Sequence, residues 1–246
     1  MKLYKYRDLS DSPDASLERL FNILRGNVFW CARPSTLNDP KEFIWECDYE
    51  PTDATTALLT AVLIQSLGRT PMEALAKANT AVVNRRIEPL ARHAFEEMID
   101  RCRREIGLAC FATSADNEVM WRRYGGNGNS VCIEIDVPDE LLDNHLFRVE
   151  YLSRKILSVD QLLAAYIDPT QVRVVYSVAL LSKPSCWAPE EEVRFVSSRQ
   201  DVAVRISDST ISSIVLGSSL PPDAWRKIRT VIGSLPYHLS VFSYGA

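Results

Sequence analysis

The distribution of hydrophobic patterns along the chain is the feature that most constrains its fold. Between Val131 and Asp136, Val131, Ile133 and Ile135 alternate with smaller or acidic residues, which is typical of a strand with one buried face. Further strand-like patterns cluster after residue 107, whereas residues 54–105 carry helical patterns. This segregation predicts an α+β fold in a single domain over 1–246, with 54–105 as a helical insertion within it.

The patterns also predict individual elements. Strands are expected at 3–7, 28–32, 108–112, 131–136, 146–152, 192–196, 202–206, 211–216 and 239–242. Helices are expected at 14–25, within 54–105, and at 117–124, 159–165 and 222–232. Gly26 is expected to be the residue that ends the first helix, and Pro71 suits the start of another.

Composition narrows the class of protein. The chain has 246 residues and a net charge of −4, which argues against a dedicated nucleic-acid binder. No apolar run approaches the length of a membrane span, and the first residues lack a signal core, so a cytoplasmic protein without a membrane partner is expected. The six cysteines form no Cys-x-x-Cys pair, so neither a disulfide framework nor a zinc site is expected.

A charged run at 187–195 points to a site. If 190–196 is a strand, Glu190, Glu192 and Arg194 share one face and Glu191 points to the other. Two like charges roughly 7 Å apart on one face are unusual for a strand that packs a core. The run is therefore either a site for a positive or hydroxyl-rich ligand, or a solvated edge strand with a Glu192–Arg194 pair.

Four motifs carry a family resemblance. They are Leu3-Tyr4-Lys5-Tyr6-Arg7, Leu37-Asn38-Asp39-Pro40-Lys41-Glu42, Met120-Trp121-Arg122-Arg123-Tyr124-Gly125, and Lys183 followed by Trp187-x-x-Glu190-x-Glu192-x-Arg194. In this order they resemble a bacterial family named only as a domain of unknown function (number twenty-nine seventy-one). That family name implies no activity.

A second resemblance supplies an activity. Glu190-x-Glu192 is similar to the Glu-x-Glu signature of arginine-serine-glutamate ADP-ribosyltransferases. Arg7 would be the arginine of the first strand, and Cys110–Ser114 the middle serine or threonine element, with Ala112 where that family often has Ser. The resemblance implies a mainly antiparallel, ADP-ribosyltransferase-like split sheet with the helical block inserted after the first strands. It also implies NAD as the substrate, a protein or nucleic-acid acceptor of unknown identity, and a role as a toxin or antiphage effector delivered to a target cell.

The same resemblance assigns roles to residues. Glu192 would stabilise the oxocarbenium-like transition state of nicotinamide–ribose cleavage, and Glu190 would orient the acceptor or water. Arg7 would bind the NAD pyrophosphate. Ser114 or Thr113 would hold the nicotinamide-side ribose.

Four further residues are candidates for NAD binding, each with a structural alternative. Asn38 and Asp39 could line the NAD pocket or simply form a turn. Trp121 and Tyr124 could stack a base or simply pack the interior. Ser114 could instead cap the helix near 117, and Arg7 could pair with an acid on a neighbouring strand.

Two other functions stay open at this point. One is a non-catalytic module on the same fold that binds a nucleotide or a protein. The other is a Mg²⁺-dependent nuclease that uses Asp39, Glu42, Glu190 and Glu192.

Overall fold

The structure is a computed structural model that describes residues 1–39, 45–141, 144–205 and 210–245, apart from the side chains of 93–95 and 102. It contains helices and several mostly antiparallel sheets, so the predicted α+β class is confirmed. Contacts divide the chain into two compact units. The first comprises 1–33, 107–149 and 186–246, and the second comprises 34–106 and 150–185.

The strands, in chain order, are β1 (Lys2–Asp8), β2 (Val28–Cys31), β3 (Glu46–Asp48), β4 (Gly107–Phe111), β5 (Ser130–Asp136), β6 (Leu146–Arg148), β7 (Glu150–Leu152), β8 (Ile156–Ser158), β9 (Ser182–Pro184), β10 (Val193–Ser197), β11 (Val202–Arg205), β12 (Thr210–Leu216) and β13 (Ser240–Ser243). The helices are α1 (Pro13–Gly26), α2 (Thr55–Leu67), α3 (Pro71–Val83), α4 (Glu88–Glu105), α5 (Glu118–Tyr124), α6 (Val159–Ile167), α7 (Val172–Leu180) and α8 (Pro222–Gly233).

The first unit is built on a four-stranded sheet in the order β1-β5-β12-β13. The β1–β5 and β5–β12 pairs are antiparallel, and β12–β13 is parallel. The alternation at 131–136 predicted a strand with one buried face. This is confirmed, because Val131, Ile133 and Ile135 are fully buried in the main core. Leu17 and Leu20 of α1 and Ile228 of α8 belong to the same core.

The first unit also contains a three-stranded antiparallel sheet in the order β4-β10-β6. The charged run at 187–195 leads into its middle strand, β10. The strand β10 lies between β4 and β6, so it is not an edge strand. An isolated bridge between Tyr4 and Ala112 joins β1 to the end of β4, and another between Ala32 and Leu108 joins β4 to the chain after β2. Strands β2 and β11 form an antiparallel pair.

The second unit contains helices α2, α3, α4, α6 and α7 and two parallel strand pairs, β3–β8 and β7–β9. Pro71 begins α3 as predicted, after a capping box in which Thr70 and Glu73 satisfy each other's backbone N–H groups. Leu59 and Ala74 pack with Leu163 in a separate core. The prediction that 54–105 forms helices is confirmed, while its description as an insertion stays a prediction.

Two sequence predictions need correction, and one helix was missed. Gly26 is the last residue of α1, and the left-handed residue that ends the helix is Asn27, with φ of 49°. The strand expected at 146–152 divides at Val149, because β6 pairs with β10 whereas β7 pairs with β9. Helix α7 was not predicted. The predicted end of β11 at Ile206 lies outside the described residues.

Candidate functional site

The charged run does not form a strand at its start. Residues Ser185–Glu190 form a 3₁₀ helix, Glu191 has a left-handed backbone with φ of 46°, and β10 begins only at Val193. The prediction of a strand over 190–196 is therefore wrong for 190–192, because the turn at Glu191 interrupts it. The burial pattern nevertheless separates the glutamates as expected: Glu190 and Glu192 are buried, and Glu191 is exposed.

Glu192 is held by a buried guanidinium. Arg194 Nε donates a hydrogen bond to one carboxylate oxygen at 2.7 Å, and its Nη2 donates to the other at 3.3 Å. Arg194 is fully buried, and Glu192 is 5% exposed. The pair that the sequence suggested does form, but it lies in the interior rather than on a solvated edge. A charge pair at this depth fixes the Glu192 carboxylate in one orientation.

Glu190 is held by a different set of residues. Arg123 donates to Glu190 Oε1 at 3.0 Å, and the Tyr124 hydroxyl donates to the same atom at 2.8 Å. The Arg123 guanidinium also stacks over the Trp187 ring, 4.5 Å from its centroid. Tyr124 thus contacts a predicted catalytic carboxylate directly, and Trp187 anchors the turn through Arg123.

Two more hydrogen bonds tie the turn before β10 to the segment after β4. Thr113 Oγ1 donates to the exposed carboxylate of Glu191 at 2.6 Å. The side-chain amide of Asn117 donates to the carbonyl oxygen of Pro189, also at 2.6 Å. Asn117 caps α5 at the same time, by accepting from the N–H groups of Val119 and Met120. The beginning of α5 therefore helps to set the backbone of residues 189–191.

Lys5 of β1 lies near enough to Glu192 for the two charges to interact. Its Nζ donates to the carbonyl oxygen of Cys110 at 2.7 Å and lies 5.5 Å from the centroid of the Phe111 ring. Burial lowers the pKa of Lys5, the nearby positive charge of Arg7 lowers it further, and the charge of Glu192 acts against both. Burial also raises the pKa of the Cys110 thiol to about 12, so this cysteine is protonated at neutral pH.

Arg7 lies on the same face of β1 as Lys5, since the two are separated by one residue in a strand. The Nε of Arg7 is buried and has no hydrogen-bond partner. The pKa of Arg7 is lowered first by burial and then by the positive charge of Arg19 on α1. Among the described residues, no ion pair joins Arg7 to an acid on a neighbouring strand. A half-buried cation with a buried Nε, beside a second cation, favours an anionic ligand.

Ser114 and Trp121 lie on the side of β1 that carries Tyr6. The Tyr6 hydroxyl donates to the Ser114 carbonyl oxygen at 2.8 Å, and Ser114 Oγ accepts from the N–H of Asp116 in a local turn. Ser114 is not the helix cap, because Asn117 has that position. Trp121 is 6% exposed, stacks on Tyr244 at 4.4 Å and meets Tyr6 edge-on at 5.1 Å. Its packing role is confirmed.

The predicted loop residues belong to the second unit. Asn38 and Asp39 both lie there, and Asp39 is buried. Glu42, which the nuclease hypothesis needs, lies outside the described residues. Within the described ranges, no group of three or more His, Cys, Asp or Glu side chains could hold a metal ion.

Sequence reasoning missed three residues of the site: Lys5, Arg123 and Asn117. Lys5 had a signal, because it precedes Arg7 by two residues in a predicted strand and must share its face. Arg123 lay within a quoted motif, but nothing local indicated that it would reach Glu190. Asn117 was predicted only as the start of a helix.

Comparisons with known proteins add no identification: no family model, curated protein or solved structure matches this chain. No helix in the described part of the chain is long and apolar enough to cross a membrane.

Proposed function

We propose that this chain binds NAD and cleaves its nicotinamide–ribose bond in the manner of ADP-ribosyltransferases. The bond to the nicotinamide nitrogen breaks with its electron pair, which leaves neutral nicotinamide and an oxocarbenium-like ribose. A protein side chain, a nucleic acid or water then attacks the ribose carbon and loses a proton. Such an enzyme would act as a toxin or antiphage effector by modifying a target or consuming NAD.

The observation that carries the proposal is the buried carboxylate of Glu192. Two hydrogen bonds from Arg194 fix its orientation, and the charge of Lys5 on β1 interacts with it. Preorganised charge of this kind stabilises a developing cation without reorganisation during the reaction. Glu190, held by Arg123 and Tyr124, would orient the attacking group.

The remaining site residues support the same proposal. Arg7 offers a partly buried guanidinium with a free Nε for the pyrophosphate. The bridge between Tyr4 and Ala112, where the β1 sheet meets the β4 sheet, is what an ADP-ribosyltransferase-like split sheet would need. Thr113 would act on the turn through Glu191 rather than on the ribose, since it already donates to that carboxylate.

Nicotinamide release tests the proposal. The full chain is incubated with NAD, and free nicotinamide is quantified by chromatography. We expect release by the parent and a loss of roughly 100-fold or more in Glu192→Gln, because one preorganised charge contributes about that much. Glu191→Gln is the matched control, since it changes the neighbouring exposed carboxylate, and it should retain most of the activity.

Folding must be checked in the same experiment, because Glu192→Gln removes the charge that compensates Arg194. Near-ultraviolet circular dichroism and thermal unfolding report whether the variant keeps its tertiary structure. Lys5→Met, which leaves the Glu192–Arg194 pair intact, is expected to lower activity independently. Glu192→Gln that folds and still releases nicotinamide within a few-fold of the parent rejects the assignment.

A non-catalytic nucleotide-binding module is the second candidate, and one observation favours it. Both oxygens of Glu192 already accept hydrogen bonds from Arg194, so the carboxylate is largely neutralised in this conformation. Thermal stabilisation by NAD without nicotinamide release would support this function over the enzyme. The nuclease hypothesis is less favoured, because Mg²⁺ would have to displace a guanidinium from both Glu190 and Glu192.

A further inference from the structure

Strand β13 lies at an open edge of the four-stranded sheet. The order β1-β5-β12-β13 places it last, and among the described residues it pairs with β12 alone. An edge strand presents backbone N–H and C=O groups that have no partner within the sheet, and proteins usually protect such an edge with lysine, proline or a bulge. Residues 240–243 contain neither lysine nor proline, and the β12–β13 register runs without a shift. The edge is therefore open to another strand.

The two central side chains of β13 are apolar and exposed. Phe242 is 57% exposed and Val241 is 38% exposed, and they point to opposite faces of the sheet because side chains alternate along a strand. The segment 230–246 contains no Asp, Glu, Lys or Arg, so two copies of it would approach each other without repulsion between like charges. This edge therefore suits an uncharged strand with apolar side chains, and β13 itself is such a strand.

One hydrogen bond shows which backbone groups of β13 point away from β12. The N–H of Tyr244 donates to the carbonyl oxygen of Leu216 at 2.9 Å, so this N–H points toward β12. Because alternate residues of a strand bond to the same neighbour, Phe242 also bonds to β12, whereas Val241 and Ser243 direct their N–H and C=O groups outward. The Tyr244 ring stacks on Trp121, with 4.4 Å between the centroids, which holds this end of the strand in place.

The outward groups allow a symmetric antiparallel pairing of β13 with β13 of a second copy. Residues that exchange hydrogen bonds must face each other, so Val241 of each copy lies opposite Ser243 of the other. Phe242 then lies opposite Phe242 of the second copy, at a non-hydrogen-bonded pair, where the Cα atoms are about 4.5 Å apart and the side chains are closest. Such a cross-strand aromatic pair stabilises a sheet. Centring the pair on Val241 would instead place Phe242 opposite Ser240 and lose the aromatic contact.

The opposite edge of the same sheet is already partly occupied. Tyr4 of β1 exchanges two backbone hydrogen bonds with Ala112, at 2.9 and 2.8 Å. A strand from a second copy cannot continue along β1 past Tyr4, so head-to-tail joining of β13 to β1 is blocked. Pairing of β13 with β13 has two-fold symmetry, which closes the assembly at a dimer and prevents growth into a filament.

We propose that β13 is a dimerisation edge, at which two copies of this chain join their four-stranded sheets into one continuous sheet. The partner is a second copy because the edge is complementary to itself in hydrogen bonding, in its aromatic pair and in its lack of charge. The contact is shorter than the roughly 1,200–2,000 Å² interface of a stable complex, so we expect a weak dimer with a Kd of about 1–100 μM. The inference does not depend on the proposed enzymatic activity.

Sedimentation velocity of the full chain tests the proposal, at concentrations from below to above this Kd. The parent should show a monomer–dimer equilibrium. Phe242→Lys places two like charges opposite each other and should weaken the dimer about 100-fold or more. Val241→Pro removes an outward N–H but no hydrogen bond to β12, so it should weaken the dimer about 10-fold. Trp30→Lys is the matched control, because Trp30 is another strand aromatic and is 53% exposed, and it should leave the Kd unchanged.

Disulfide crosslinking tests the register. Phe242→Cys places two thiols at a pair of closest approach, within reach of a disulfide, so oxidation by diamide should give a covalent dimer on a non-reducing gel. Val241→Cys should crosslink much less, since its counterpart lies two residues along the partner strand from the position opposite. Cys186 is exposed in the parent and in both variants, so the parent gives the background.

The outcomes separate this edge from other surfaces. A parent that stays monomeric throughout the concentration series overturns the proposal. A dimer that persists unchanged in Phe242→Lys and Val241→Pro uses another surface and also overturns it, provided that near-ultraviolet circular dichroism shows both variants to be folded. Stronger crosslinking of Val241→Cys than of Phe242→Cys rejects the register and the aromatic pair on which the proposal rests. Association that is lost in both edge variants and kept in Trp30→Lys supports it.

Discussion

At the scale of single residues, Arg194 is the largest fully buried side chain among the described residues. It is fully buried, and its guanidinium compensates the buried carboxylate of Glu192. Removing one partner leaves the other buried without the charge that pairs with it. We therefore expect Arg194→Leu to lower the free energy of unfolding by about 3–5 kcal/mol, as measured by urea denaturation.

The double variant Glu192→Leu/Arg194→Leu is the control for this prediction. Replacing both charges by apolar side chains is expected to recover much of the lost stability, because neither member of the pair is left behind in the interior. If the double variant is less stable than Arg194→Leu, the main contribution of Arg194 to stability is not compensation of the Glu192 charge.

Glu134 contributes to the pH dependence of stability. Burial acts to raise the pKa of Glu134, but hydrogen bonds from Lys2, Ser212 and Tyr4 outweigh it and lower the pKa overall. The stabilisation is therefore complete above the unfolded pKa of about 4.3 and is lost as the pH falls through the lower folded value. In Glu134→Gln, the free energy of unfolding should decrease less steeply below about pH 4.3 than in the parent. Equal slopes in urea titrations at several pH values would contradict this.

At the scale of elements, the turn that precedes β10 depends on the left-handed residue Glu191. Glu191→Val should lower the free energy of unfolding by about 1–3 kcal/mol, because a β-branched side chain is strained at positive φ. Glu191→Gly should change it little, since relief of strain offsets the lost hydrogen bond from Thr113. Thr113→Val removes the same hydrogen bond without changing the backbone and serves as the control. Equal stability of the valine and glycine variants would show that the turn is not strained.

The helical hairpin of α2 and α3 allows a matched test of the second core. Leu59 is fully buried, whereas Leu67 on the same helix is 53% exposed. Leu59→Ala should cost about 2–5 kcal/mol and should increase hydrogen exchange in α2, α3 and α6, because it leaves a cavity. Leu67→Ala should have little effect. Similar exchange in the two variants would contradict the assignment of this core.

At the scale of the whole molecule, local patterns predicted the class and most elements. Strict alternation at 131–136 and helical spacing in α1 and α8 depend on nearby residues, so they can be recognised without tertiary information. The division of 146–152 into β6 and β7 could not be predicted in this way, because it depends on pairing with β10 and β9, which are distant in sequence.

The candidate site, too, could be predicted from the sequence only in part. The sequence by itself determined that Glu190 and Glu192 share one face and that Glu191 points to the other. It also determined that Lys5 and Arg7 share a face of the first strand. Only the tertiary structure decided which cation holds each carboxylate: Arg194 for Glu192, and Arg123 with Tyr124 for Glu190. The physical reason is that periodicity specifies which way a side chain points, whereas its partner depends on strands and helices brought together by the fold.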